Sequence, residues 1–311
     1  MSEKPWSGVF AAILCPFNAD EGLDEAGMTA YARELSGVEG MTGLVVNGHT
    51  GEVTSLLPAE RARVTRIVAE ATGGQAKVAS GVCAEGTAEA VAAAGAARGA
   101  GADAILLMPP HHWLRFGRKS ETAIGFFQDV AAAVDISIIV HQYPAWTKAC
   151  YSLAEMLELV KIPNVVSIKM GTRDMARWGY DYRQLKEAAP EVSILSCHDE
   201  SLLATLLDGA DGALVGFAGL VPKLIVELVR TALAGDLPGA RRAQEKVGPL
   251  ARIVYGFGEP SGDAHQRMKC VRWLMGGFPS LHVRRPLRPL PAGEIDRIRR
   301  ELNQAGVETV R

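Results

Sequence analysis

Short β-branched or apolar runs recur at residues 9–14, 43–46, 77–80, 104–107, 137–140, 165–168, 192–195 and 213–215. They are continuously apolar and do not alternate with polar residues, which is the pattern of parallel strands covered on both faces. The segments between them read as helices. Pro58 stands at a first-turn position, Ser152-x-x-Glu155 forms a capping box, and the alanine-rich stretch 88–97 suits close packing on a sheet. Eight strand–helix units in roughly 235 residues match a (β/α)8 TIM barrel. The rival is a doubly wound open sheet, but no G-x-G-x-x-G follows the first run, where that fold places its phosphate loop. Past residue 235 the strand pattern stops and helical patterns follow over 240–255, 263–275 and 292–305. The chain therefore divides into a catalytic barrel, 1–235, and a C-terminal helical region, 236–311. Between the last two helices, Arg284-Arg285-Pro286-Leu287-Arg288-Pro289 is too proline-rich for a helix and is expected to be a packed extended connector.

Bulk properties narrow the partners. The 311 residues are 48% hydrophobic, enough to fill one large core, and the formal charge of −2 offers no footprint for nucleic acid or an anionic membrane. A small molecule is the expected partner. Five cysteines, none in C-x-x-C spacing, form neither a disulfide framework nor a thiolate zinc site and fit a reducing cytoplasm. The opening Met-Ser-Glu-Lys-Pro-Trp has no apolar signal core, and no run of about eighteen apolar residues would span a bilayer.

In such a barrel the chemistry sits at the C-terminal ends of the strands. There the chain carries Gly48-His49-Thr50-Gly51-Glu52, Pro109-Pro110-His111-His112, His141-Gln142-Tyr143-Pro144, Lys169-Met170-Gly171 and Ser196-Cys197-His198-Asp199, so that five of seven histidines fall at one rim. Lys169 directly follows an apolar run. An amine at the mouth of an apolar barrel is desolvated, which favours the neutral nucleophile that attack on a ketone needs; a lysine bridging a rim carboxylate is the ordinary alternative. The turn at 48–52 has two glycines that let backbone N–H groups converge, with the Thr50 hydroxyl as a further donor, as a carboxylate site requires; an ordinary strand–helix turn has the same composition.

Together these motifs resemble the dihydrodipicolinate synthase and N-acetylneuraminate lyase family of class I, pyruvate-type aldolases. The resemblance runs over nearly the whole chain: Cys15-Pro16-Phe17, the G-x-T-G-E turn at 48–52, Pro58-x-Glu60-Arg61, Gly81, Gly101-Ala102-Asp103-Ala104 leading into Pro109-Pro110, Pro144, Ile168-Lys169 and Gly209-Ala210-x-Gly212. It implies that Lys169 forms the Schiff base with a 2-oxo acid such as pyruvate, that Thr50, Gly51 and neighbouring N–H groups hold the substrate carboxylate, and that the carbonyl near Leu214 lines the pocket. It further implies no metal or organic cofactor and a homotetramer or homodimer.

The chain departs from the family pattern at its proton relay. Where the family has a Tyr in Tyr-Asn-x-Pro, this chain has His141-Gln142-Tyr143-Pro144, and the two other relay hydroxyls correspond to His49 and His112. Imidazole titrates near pH 6.5, so such a relay is expected to exchange protons at neutral pH and to be partly charged in mild acid. His141 is the expected general acid/base, with His49 and His112 assisting; Tyr143 is the alternative phenol. Trp146 stands where dihydrodipicolinate synthases place a carboxylate-clamping Arg, which argues for a less acidic second substrate, aromatic or extended. Trp113, near the same rim, would reinforce an apolar pocket; packing at a subunit contact is the alternative for both tryptophans. The function implied is a Schiff-base-forming lyase, an aldolase or a 2-keto-3-deoxy acid dehydratase acting with an unidentified aldehyde or leaving group. Two alternatives remain: a metal-dependent hydrolase using His49, His111, His112, His141 and His198, and a non-catalytic 2-oxo acid sensor that lost its relay hydroxyls.

Overall fold

The computed structural model describes residues 4–142, 150–256 and 263–311. Strands β1 (Gly8–Ala12), β2 (Met41–Val46), β3 (Lys77–Val82), β4 (Ala104–Leu107), β5 (Ser137–Gln142), β6 (Val165–Met170), β7 (Ser193–Ser196) and β8 (Gly212–Val215) pair in parallel in chain order, and β8 closes onto β1. The expected barrel is the observed one. β5 and β6 each run two residues beyond their apolar runs, because the main-chain ladder continues where the side chains become polar: His141 pairs with Lys169 and Gln142 with Met170. The candidate site residues on these strands are thus held by the sheet itself.

Helices Glu25–Ser36, Pro58–Thr72, Thr87–Gly99, Ser120–Ala133, Leu153–Leu159, Met175–Ala188, Leu202–Leu207 and Pro222–Leu233 form the outer ring. The local signals act as read. Pro58 opens its helix, Ser152 Oγ accepts from the Glu155 N–H while Glu155 accepts from the Ser152 N–H, and Ala90, Ala94 and Ala97 are buried. The main core lies between strands and helices. A second, smaller one fills the barrel with Trp6, Phe10, Ala12, Val45, Ala79, Ala104, Leu106, Ile139, Leu195 and Leu214. Trp6 stacks on Phe10 at 5.8 Å within this inner core. At Gly81 a Cβ would stand 2.0 Å from the Asn47 carbonyl oxygen, so only glycine lets β3 pass the end of β2.

One irregularity decides where Lys169 points. Ile138 pairs with Val165 but Ile139 pairs with Ser167, so Val166 is an extra residue in β6. Val166 packs against the inner core. Strict alternation from it would aim Lys169 at the outer helices. The bulge reverses the parity and sets Lys169 in the inward row between its register partners His141 and Leu195.

Helices Leu237–Tyr255, Asp263–Leu274 and Ala292–Gln304 make up the C-terminal region. The connector at 284–289 is neither helix nor strand. It is anchored by Arg284, whose guanidinium donates to the Glu21 and Ser55 carbonyls and pairs with Glu60. No helix among the described residues is long and apolar enough to cross a membrane.

Candidate active site

Lys169 is 9% exposed at the top of the inward row of β6. The turn after β2 comes toward it from across the barrel. In that turn the N–H groups of Gly51 and Val53 donate to the Gly48 carbonyl, and that of Glu52 donates to the carbonyl of His49. Gly51 therefore contributes shape and not a donor: a Cβ there would lie 3.1 Å from the Ile13 carbonyl oxygen. Thr50 is buried, and neither its N–H nor its hydroxyl bonds to any described residue. Both of its donors are therefore unspent among the described residues. Leu214 is fully buried in the inner core, on the strand next to β1.

The histidines divide into those facing Lys169 and those turned elsewhere. The His49 ring lies 5.7 Å from that of His141 and 5.8 Å from that of His111. The ring beside His49 is therefore that of His111 rather than His112. His112 is instead 45% exposed by side chain, with its Nδ1 2.9 Å from Glu85, whose carboxylate also accepts from the His111 and His112 N–H groups. His198 is buried beside Arg173, and Arg173 reaches Glu200 at 3.2 Å. Trp113 is internal, packed edge-on against Phe126 and covered by Arg118. Tyr143 and Trp146 lie outside the described residues.

Burial and the Lys169 charge act on the imidazoles in the same direction. Desolvation first, then Lys169, push His49 down to about 3 and hold His141 well below 6.5. The expected partial charging in mild acid is thereby corrected: these rings are neutral throughout the physiological range. Neutral imidazole carries one donor and one acceptor nitrogen, which suits a proton relay. Among the described residues, no three His, Cys, Asp or Glu side chains are arranged to hold a metal ion, so the hydrolase alternative lacks a ligand set.

Two groups near Lys169 were given no role by the sequence motifs. Burial, together with the Lys169 and Lys269 charges, lowers His265 to about 4. It comes from helix Asp263–Leu274 of the C-terminal region, and no local motif marks it. Asp199 accepts from the Phe217 N–H and the Tyr255 hydroxyl, each at 2.7 Å. Burial nevertheless raises it to about 6, against these bonds and the Lys169 charge. Asp199 stands in plain view at the end of the seventh run, but Tyr255 is 56 positions away and nothing in the sequence joins them.

Comparison with known proteins agrees with this geometry. Residues 5–305 match the model of the Dihydrodipicolinate synthetase family. A 4-hydroxy-tetrahydrodipicolinate synthase of Nitrosospira multiformis is 32% identical over 306 residues, covering 97% of this chain and 96% of that protein. An uncharacterised DapA-like lyase of Halobacterium salinarum is 34% identical over 286 residues, covering 91% and 88%. Among solved structures, the prophage protein YagE of E. coli K12 in complex with pyruvate superposes with a TM-score of 0.89 at 25% identity, covering 97% of this chain and 99% of that one. The dihydrodipicolinate synthase of Acinetobacter baumannii, also complexed with pyruvate, gives 0.85 at 27% identity, covering 97% and 99%. The family's enzymes are lyases that work through a lysine Schiff base with pyruvate and need no metal. A match over nearly the full length, on a closed barrel with a lysine in its mouth, means that this chain belongs to the dihydrodipicolinate synthetase family and is an enzyme of the lyase class.

Proposed function

We propose that the chain is a Schiff-base-forming lyase acting on a 2-oxo acid, with Lys169 as nucleophile. The observation that carries this reading is the β6 bulge, which turns Lys169 into the barrel mouth beside His141. The Lys169 amine adds to the C2 carbonyl and water leaves, giving a protonated imine. In an aldolase the C3–C4 bond then breaks, its electrons enter the iminium to form an enamine, and the C4 hydroxyl gives up its proton as the aldehyde forms. In a dehydratase the C3 proton is removed and the C4 hydroxyl departs as water. In the aldolase the enamine takes a proton at C3 to regenerate the imine, and in either case water hydrolyses the final imine and frees Lys169. His141, the register partner of Lys169, moves the protons, with the His49 and His111 rings in line behind it. Thr50 holds the carboxylate. The second substrate is an aldehyde or leaving group other than that of a dihydrodipicolinate synthase, since Trp146 replaces the clamping Arg.

Borohydride added with pyruvate is expected to leave a reduced adduct on Lys169, read by peptide mass. An unmodified Lys169 at saturating pyruvate would refute the assignment. We further propose a cytoplasmic homotetramer or homodimer; five widely spaced cysteines with no C-x-x-C pair support the compartment. Light scattering at a single chain mass would overturn the assembly.

A further inference from the structure

Two residues with left-handed backbones bracket the glycine turn, Asn47 and Glu52, each with φ 54°. Such conformations in non-glycine residues persist only where the surroundings hold them. Asn47 is held within the barrel: its Nδ2 lies 2.9 Å from the Arg61 carbonyl, 3.0 Å from Thr65 Oγ1 and 2.9 Å from Ser80 Oγ. Glu52 is held from outside it. Lys269, on helix Asp263–Leu274, donates to Glu52 Oε1 at 2.6 Å and to the His282 carbonyl at 2.8 Å. Lys269 is 1% exposed and its Nζ lies over the rings of Phe17 and Phe278. Water therefore does not screen the pair. Glu52 Oε2 has no hydrogen-bond partner among the described residues, so Lys269 is the anchor of that carboxylate.

The bracketed segment is the one that offers Thr50 to a ligand. The helix carrying Lys269 also borders the pocket, because His265, one turn earlier on the same face, feels the Lys169 charge. We propose that Lys269 is a positioning residue for the 2-oxo acid. By anchoring Glu52 it fixes the Thr50 donors where the substrate carboxylate binds, and it neutralises a carboxylate two residues away that would otherwise repel the substrate. The C-terminal region thus sets substrate affinity without touching the substrate. This inference rests on the proposed site taking a 2-oxo acid.

The double variant Glu52→Gln/Lys269→Met removes both charges and leaves no unpaired ion in the core. Its half-saturating pyruvate concentration for borohydride trapping is expected to rise about ten- to hundredfold, the worth of a charged hydrogen bond. The limiting adduct on Lys169 is expected to stay at the wild-type level, which a general loss of structure would not produce. A wild-type half-saturation in the folded double variant overturns the proposal. Lys269→Met alone leaves Glu52 charged and is expected to bind pyruvate more weakly still; if it does not fold, the double variant carries the test. If wild-type protein gives no adduct, the imine reading fails but Lys269 is still tested by the pyruvate-dependent rise in melting temperature, which needs only binding. That rise is expected to need more pyruvate in the double variant; equal dependence, or no rise in the wild type, overturns the proposal.

Discussion

At the scale of single residues, four imidazoles are held neutral, His141 and His198 buried and His49 and His265 half-buried: all have native pKa values below the 6.5 of an unfolded histidine. As pH falls below 6.5 the unfolded chain takes up protons that the folded chain refuses, and stability declines toward the native values, about 3 for His49 and about 4 for His198 and His265. Each ring contributes about 1 kcal/mol of this loss per pH unit in that window. Asp199 acts in the opposite sense. Its native value of about 6 lies above the unfolded carboxyl range, so between pH 6 and 4 the folded state binds the extra proton and regains stability. Four groups outweigh one, and the melting temperature is expected to fall between pH 7 and 5, with a shallower fall in His265→Gln; a flat profile in the wild type would contradict the burial of these rings as neutral bases. For catalysis, His141→Phe is expected to lower turnover by roughly 10²- to 10⁴-fold while leaving the pyruvate adduct on Lys169 intact. Loss of the adduct itself would give His141 a role in forming the imine instead. Lys169 was legible in the sequence because it closes an apolar run. The neutrality of its neighbours was not, because it depends on burial and on a cation reached through the fold.

At the scale of elements, the eight strands were legible for the same reason that their facing was not. Runs apolar on both faces announce a covered parallel strand, yet carry no alternation to say which residues point inward. Neither the Val166 bulge nor the parity it imposes on Lys169 is written in Val165-Val166-Ser167-Ile168. The rim segments after β4 and β5 are tied together by another feature the sequence did not reveal. Arg118 pairs with Glu155, both 6% exposed, donates to the Cys150 carbonyl at 2.8 Å, and lies between the rings of Trp113 and Tyr151. The pairing and the capping-box N–H drive Glu155 down to about 2 against the upward effect of its own burial. Arg118→Met leaves that carboxylate buried and unpaired and is expected to cost about 3–5 kcal/mol in urea unfolding, whereas Arg118→Met/Glu155→Met is expected to recover most of it. A single-variant loss below about 1 kcal/mol would show that water reaches the pair.

At the scale of the whole molecule, the strand pattern visibly ends before residue 235, but the links between the barrel and the C-terminal helices could not be read. The links join residues more than two hundred positions apart: Lys269 to Glu52, Arg272 to Glu34 and Arg284 to Glu60. No local pattern encodes such pairs. Each places a cation of the C-terminal region on a carboxylate of the first two strand–helix units, and two of the three cations are less than 10% exposed by side chain. Leu250, Ile253 and Val254 of helix Leu237–Tyr255 and Met268, Val271 and Leu274 of helix Asp263–Leu274 belong to the same core as the outer barrel helices. A chain ending at Gly235 would expose that surface, strand Glu52 without its cation, and remove Tyr255 and His265 from the pocket. Such a fragment is expected to lack a cooperative melt and to show no saturable borohydride trapping of pyruvate. A fragment that melts cooperatively and traps pyruvate at the wild-type half-saturation would establish the barrel as an independent domain and, with it, would remove the C-terminal region from any part in setting the site.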